Sequence, residues 1–576
     1  MKFQTILLST ISLLSAHAAS GRTMPLPPQE ITRSVLVHAN FIQLPLIRGR
    51  NSDEVNFTIM EGSKVVRFSH LQLATKDQKP DWIYSYDVRE FHGQDVTLHY
   101  KSSDTNILQN LQLSHQQIID PHAYDGPNRP LFHFSPRVGW MNDINGSYYQ
   151  DGLYHIFYQA NPVRNGSSCG YDMHWGHSVS KDLVHWEEWP IGLFPNAAGQ
   201  CYSGTVFFIT NAISGITDHL KLPTPALMFT GTTPFSQHLA TTADGGRSWQ
   251  RYAGNPVLPN IGPGNRDPNV FWHEPSKHFV MALYVGGKGY VILRSGNLTN
   301  WKQTCVLPNW EECPVLIPIK SPTTGGELWL LYGRYNTPKN DENQFHAASA
   351  YQLGNFDGKV FTPVTKVRRA HLGPNFYAAL TFVNEPQGRA IMMGWANGTH
   401  FPKEPFNQCA SLPLQLSLTV INGVDTLCFE PVLELNILHG QPLLQLTDVS
   451  ITEANAKLQT LDKNAPIDVL IKLHPVEKEI VKISIRNLAF SYDPSSGNLI
   501  LLKNGLKISE TVIHPRVSLN IRFLIDHGLV DAFWNDGEAT YSIVSLHTDN
   551  GPAFDIQGHE IIQNLSIFPM KNIWKN

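Results

Sequence analysis

The chain has 576 residues, with 44 Lys and Arg against 48 Asp and Glu for a formal charge of −4. That length suggests three or four domains at roughly 100–200 residues each, and the 42% hydrophobic and 10% aromatic content supplies each with a core. Balanced charge without any Lys/Arg block excludes the concentrated basic face that a nucleic-acid partner demands and favours an uncharged one.

Residues 1–20 read as a secretory signal: Lys2, an apolar run from Ile6 to Ala16, then small residues around Ala18 and Ser20. The run is too short to span a bilayer, so a secreted or periplasmic protein with no membrane partner is expected. Residues 21–126, with alternating runs such as Val65–Phe68 and Val96–Tyr100, predict a small N-terminal β module. A turn-rich linker covers 120–130. Residues 127–430 carry many strand-length runs, and Trp186, Trp249 and Trp301 close three similar segments 63 and 52 residues apart. That period suits one four-stranded propeller blade, and five blades fill the stretch; a β-sandwich with coincidental Trp spacing is the other reading. Residues 431–576 continue the alternation, with Asn535-Asp536-Gly537 as a hairpin turn, and predict a β-sandwich. The fold class expected is therefore all-β: a five-bladed β-propeller with a C-terminal β-sandwich and a small N-terminal β module. The six cysteines (Cys169, Cys201, Cys305, Cys313, Cys409, Cys428) are too sparse for a disulfide scaffold and lack zinc spacing, leaving room for one or two bridges of unspecified pairing.

Three acidic clusters lie among aromatic, Gly and Pro residues: Asp143 after Trp140, Asp267 between Arg266 and Pro268, and Glu312 after Trp310. Such neighbours push a carboxyl pKa in a definite direction. Glycoside hydrolysis needs one carboxylate ionised and another protonated. The three lie 124 and 45 residues apart, hence on different blades that converge on one funnel. Taken singly, each Asp turn is more often a backbone cap.

The run from Phe132 to Gly146, Arg266-Asp267-Pro268 and Glu312-Cys313-Pro314 resemble, in order, the three motifs of glycoside hydrolase family 32, the fructan hydrolases and invertases. Phe157 to Gln159, Trp175 to Trp186, Tyr202 to Gly204, Phe376 to Ala378, Gly394-Trp395 and Pro405 to Gln408 follow the family's order, and Asp526 with Asn535 to Glu538 resembles its closing hairpin. The likeness extends over about residues 128–560 and is nearest to levanase, exo-inulinase and invertase types. It implies a retaining double displacement at a terminal β-fructofuranosyl unit, probed by a carboxyl separation of about 5–5.5 Å. Asp143 would be the nucleophile, Glu312 the acid and base, and Asp267 the stabiliser of the transition state. Arg266 would orient the site. Asn142, Gln159, Trp175 and Ser203 would bind substrate, and Trp395 would offer a flat surface to the sugar. No cofactor or metal is implied, and the sequence carries no signal for oligomeric state.

Two positions depart from the family pattern. Ile144 stands where Pro is usual, which leaves the nucleophile extended but less rigidly aimed. Gly170 stands where an aromatic wall residue is common, with Tyr171 as a substitute. His174 and His177 lack a third ligand for a metal, Gly286 to Gly289 reads as a turn, and Glu311 is expected to face solvent across the strand from Glu312. A fructosyltransferase and a non-catalytic carbohydrate-binding propeller are the rival readings.

Overall fold

The computed structural model describes residues 27–48, 55–164, 171–337, 348–401, 404–476, 479–545, 554–559 and 561–575. The leader expected over residues 1–20 lies outside them, as do Cys169 and Gly170. Runs such as Leu153 to Tyr158 extend as strands because aromatic and β-branched side chains pack well on a pleated surface. Asp151-Gly152, Asn422-Gly423 and Asn504-Gly505 take positive φ between consecutive strands, the twist that closes a two-residue hairpin.

Between residues 139 and 431 the chain forms five antiparallel meanders in succession. Their first strands are Gly139–Gln150, Cys201–Ile209, Arg266–His273, Trp310–Lys320 and Tyr377–Val383. Each of these inner strands packs on the next, and the fifth returns to the first by parallel pairing of Phe382 with Ser147 and Val383 with Tyr148. The segments ending in Trp186, Trp249 and Trp301 each join the third strand of a sheet to its outermost one. In these turns Asp182, Asp244 and Asn297 accept backbone N–H groups just ahead of them, and Leu183 and Leu298 share a φ of 66°. The fourth and fifth sheets turn on Asp357-Gly358 and Asn422-Gly423 instead, so the repeat fades there.

Residues after 440 build a six-stranded and a five-stranded sheet whose apolar faces share one cluster including Val469, Phe490, Phe523, Trp534 and Ile556. The last strand, Ile561–Pro569, lies inside the larger sheet between Leu444–Ser450 and Ile467–His474. Residues 29–114 form a four-stranded and a three-stranded sheet around a cluster that also takes in Val163 from the first meander. Arg67 fastens this module by stacking its guanidinium 3.5 Å from the Phe194 ring. Asp526, wholly buried, accepts the backbone N–H groups of Leu131, Phe132 and His133. It thereby ties the C-terminal sheets to the segment that leads into the first inner strand. The five described cysteines are unbridged. Among the described residues no helix is long and apolar enough to cross a membrane.

Candidate active site

Regular pleating would alternate side chains between the two faces of each inner strand, yet the pairing register shifts near the start of all five. The shifts fall between Met141 and Ile144, Tyr202 and Gly204, Arg266 and Asn269, Glu311 and Val315, and Tyr377 and Leu380. Such bulges re-aim side chains. Asp267, Glu312, Cys313 and Ala378 take φ of 61°, 43°, 46° and 46° at these breaks, a conformation that costs a non-glycine residue about 1–3 kcal/mol.

The result is a carboxylate cluster. The Cys313 sulfur lies 3.8 Å from Asp143 Oδ2 and 3.7 Å from Asp267 Oδ2, so two acids from different strands flank one atom. Asp267 Oδ2 also accepts the Cys313 backbone N–H at 3.1 Å. Asp143 accepts hydrogen bonds from Ser203 Oγ at 2.7 Å and Asn142 Nδ2 at 3.1 Å. Arg266 Nη2 reaches Glu312 Oε1 at 2.5 Å, and its Nε lies 3.8 Å from Asp267 Oδ2.

Burial raises the Asp143 carboxyl above the usual range, against the bonds from Ser203 and Asn142, and Glu312 adds to the rise. Burial likewise pushes Asp267 up to about 7, with Arg266 opposing and Asp143 and Glu312 assisting. For Glu312 burial is outweighed: the Tyr377 hydroxyl, Arg266 and Arg334 together hold it below the ordinary value. Cys313 is buried and its thiol is pushed well up, first by burial and then by the carboxylates, so it is a packed neutral group.

Beneath Asp143 lies a buried polar layer. With the Asn145 amide oriented to match its neighbours, its nitrogen donates to Ser203 Oγ at 3.1 Å, and its oxygen accepts from Trp175 Nε1 and Gln159 Nε2, each at 3.0 Å. Gln159 Nε2 also donates to the Cys201 carbonyl at 2.9 Å. Trp175 is fully buried, packed among Tyr148, Phe157 and Phe229, and has no surface to offer a ligand. Its expected place at the substrate is therefore corrected to a place behind it. Trp395 is partly exposed, pairs in register with Tyr377, and donates its indole N–H to Gln408 Oε1 at 3.0 Å.

Glu311 does not point freely to solvent. Positive φ at Glu312 breaks the alternation, and Glu311 Oε2 meets Arg334 Nε at 3.3 Å while Glu312 Oε2 meets Arg334 Nη1 at the same distance. Arg334, and the Tyr377 hydroxyl that donates to Glu312, escaped the sequence reading. A lone arginine ending the apolar run Leu328 to Tyr332 was the available signal. Tyr290 donates to the carbonyls of Glu311 and Glu312 at 2.9 and 2.7 Å, pinning their backbone. A Cβ at Gly333 would stand 1.8 Å from that hydroxyl, so only glycine fits.

Ile144 keeps its place in the ladder opposite Tyr158, with its side chain in the largest apolar cluster. Tyr171 is exposed, with the Arg164 guanidinium 5.4 Å from its ring. Gly286 and Gly287 turn between two strands. His174 is buried and pushed down to about 4 by that burial. Among the described residues no group of three His, Cys, Asp or Glu side chains could hold a metal.

Residues 133–431 match the model for the glycosyl hydrolases family 32 N-terminal domain. The chain is 30% identical over 496 residues to a levanase of Bacillus subtilis, covering 79% of this chain and 72% of that one. It is 30% identical over 487 residues to invertase 1 of Saccharomyces cerevisiae, covering 73% and 89%. The exo-inulinase structure from Aspergillus awamori superposes with a TM-score of 0.66 at 23% identity, covering 78% of this chain and all of that one.

Proposed function

Because this chain belongs to glycosyl hydrolase family 32, we propose that it is a retaining, exo-acting β-fructofuranosidase whose five meanders are the blades of a propeller around an axial site. The C-terminal sheets then form its sandwich, and a leader over residues 1–20 exports it to the periplasm or medium. The reading is carried by the convergence of Asp143, Asp267 and Glu312 from three inner strands around Cys313 and Arg266. Asp143 attacks the anomeric carbon of a terminal fructosyl unit while Glu312 gives its proton to the departing oxygen. Glu312 then takes a proton from the water that releases fructose and frees Asp143. Asp267 accepts hydroxyls of the ring, Arg266 aligns Asp267 with Glu312, and Asn142 and Ser203 hold the nucleophile. Gln159 and Trp175 act as positioning residues through Asn145, and Trp395 meets the sugar face.

In the free site burial raises Asp143 and Asp267 while Tyr377, Arg266 and Arg334 lower Glu312, the reverse of the order that a nucleophile and an acid need. Substrate hydroxyls donating to both aspartates favour their ionised forms, and shielding Glu312 from water as the leaving oxygen arrives favours its protonated form. Incubation with sucrose, inulin and levan, with products chromatographed over time, tests the reading. Free fructose released stepwise from chain ends is expected. Binding without release of fructose would sink the hydrolase, and fructose found mainly on sugar acceptors would favour a transferase.

A further inference from the structure

A cavity of about 910 Å³ lies apart from the three carboxylates, none of which lines it. It is bounded by the N-terminal module, the outer strand Trp186–Leu193 of the first sheet, and Ile573 with Trp574 near the end of the chain. The volume is near the upper end of the roughly 300–1,000 Å³ usual for ligand pockets, several times what one sugar ring would fill.

Its chemistry is that of a carbohydrate site. Arg137 donates its backbone N–H to Glu188 Oε1 at 2.7 Å and sets its Nε 3.3 Å from Glu188 Oε2, a fixed donor and acceptor pair at the wall. The lining residues Tyr84 and Tyr124 both sit within electrostatic reach of that pair and bring two phenol groups to the wall. Flat apolar surface comes from half-buried Trp186, edge-on to Phe134 at 6.0 Å, and from Trp574, stacked on Tyr124 at 4.5 Å. Three cationic and four carboxylate side chains line the cavity, and Arg89 already pairs with Asp87 at 2.5 Å. The near balance gives no net field for a charged polymer. Aromatic faces interleaved with hydroxyls and a paired donor and acceptor instead suit an uncharged polyol chain. Trp140 lines the cavity too and donates its indole N–H to Asn142 Oδ1 at 3.0 Å, so one end lies beside the neighbour of Asp143.

We propose that this cavity is a second binding site for an internal stretch of β-fructan, separate from the axial site that takes the chain end. The substrate class rests on the fructoside reading above; the site itself rests on the cavity. The test uses full-length Asp143→Asn protein, which cannot consume the ligand, titrated calorimetrically with levan, inulin and sucrose in the presence of saturating fructose to fill the axial site. Polymer binding should persist under fructose while sucrose binding vanishes. Adding Trp186→Ala should weaken polymer binding at least fivefold. So should the pair Tyr84→Phe and Tyr124→Phe, which removes only hydroxyls and leaves the packing intact. With Asp143 restored, the same variants should hydrolyse sucrose with unchanged kcat/KM, and the tyrosine pair should melt at the wild-type temperature. Polymer binding abolished by fructose, binding indifferent to both sets of variants, or equal affinity for a β-glucan would overturn the proposal. Failure of the wild-type protein to cleave any fructoside would strike the axial reading alone, because cavity binding is read independently of turnover.

Discussion

In the role proposed for it Glu312 would be an unusual general acid, because Arg334 and Tyr377 both favour the ionised form that cannot donate a proton. Tyr377→Phe removes one of those bonds and lets the Glu312 pKa rise, so the alkaline limb of the kcat/KM profile should move to higher pH while kcat falls about tenfold or more. A profile that drops in height without moving would show that Tyr377 does not tune the acid. Asp143→Asn and Glu312→Gln should each lower kcat by about three orders of magnitude or more with fructoside binding retained, measured by steady-state kinetics and calorimetry. The acids and Arg266 were legible because charged residues embedded among Trp, Gly and Pro stand out from a surface pattern. Their helpers were not. A tyrosine or an arginine inside an apolar strand looks like core until the fold shows what it faces, and Trp175 was expected to bind substrate although it packs behind Asn145.

At the scale of strands, alternation announced the sheets, and the segments around Trp186, Trp249 and Trp301 announced their spacing. What alternation could not announce is where it breaks. Glu311 and Glu312 would point to opposite faces of a regular strand, yet a left-handed residue brings both to Arg334. A second strand-level feature is His133, which meets Asp526 and Asp531 at 2.9 Å each. Burial opposes its charge, but the two carboxylates outweigh burial and push it up to about 9. Its folded pKa thus exceeds the unfolded value of about 6.5, so its stabilisation is complete below about 6.5 and is lost as pH rises through 9. His133→Gln should cost about 3–5 kcal/mol at pH 6, the penalty for stranding buried carboxylates. Denaturant midpoints for the two proteins should draw together above pH 9, and a difference constant from pH 6 to 10 would count against the ion pair.

Across the whole molecule, composition and hairpin signals suffice to foretell an all-β chain with separate N-terminal and C-terminal sheets. The welds between them are invisible in sequence, because residues as distant as Phe132 and Phe533 belong to one apolar cluster. That cluster takes Leu524, Phe533, Met570 and Ile573 from the C-terminal part. A chain ending at residue 431 should therefore expose a broad apolar face, aggregate, and bind a hydrophobic dye while losing its near-ultraviolet circular dichroism. A soluble, cooperatively melting product would refute that dependence.

The burial of Ile561–Pro569 between two other strands, with the Ile573 N–H bonded to the Leu131 carbonyl at 2.9 Å and the Trp574 indole to that of Pro130 at 2.8 Å, also sets a timetable. Domains of a nascent chain ordinarily settle in the order in which they leave the ribosome. Here the segment that leads into the first inner strand waits for a contact 444 residues further along, so the carboxylate cluster is not locked until Trp574 has emerged.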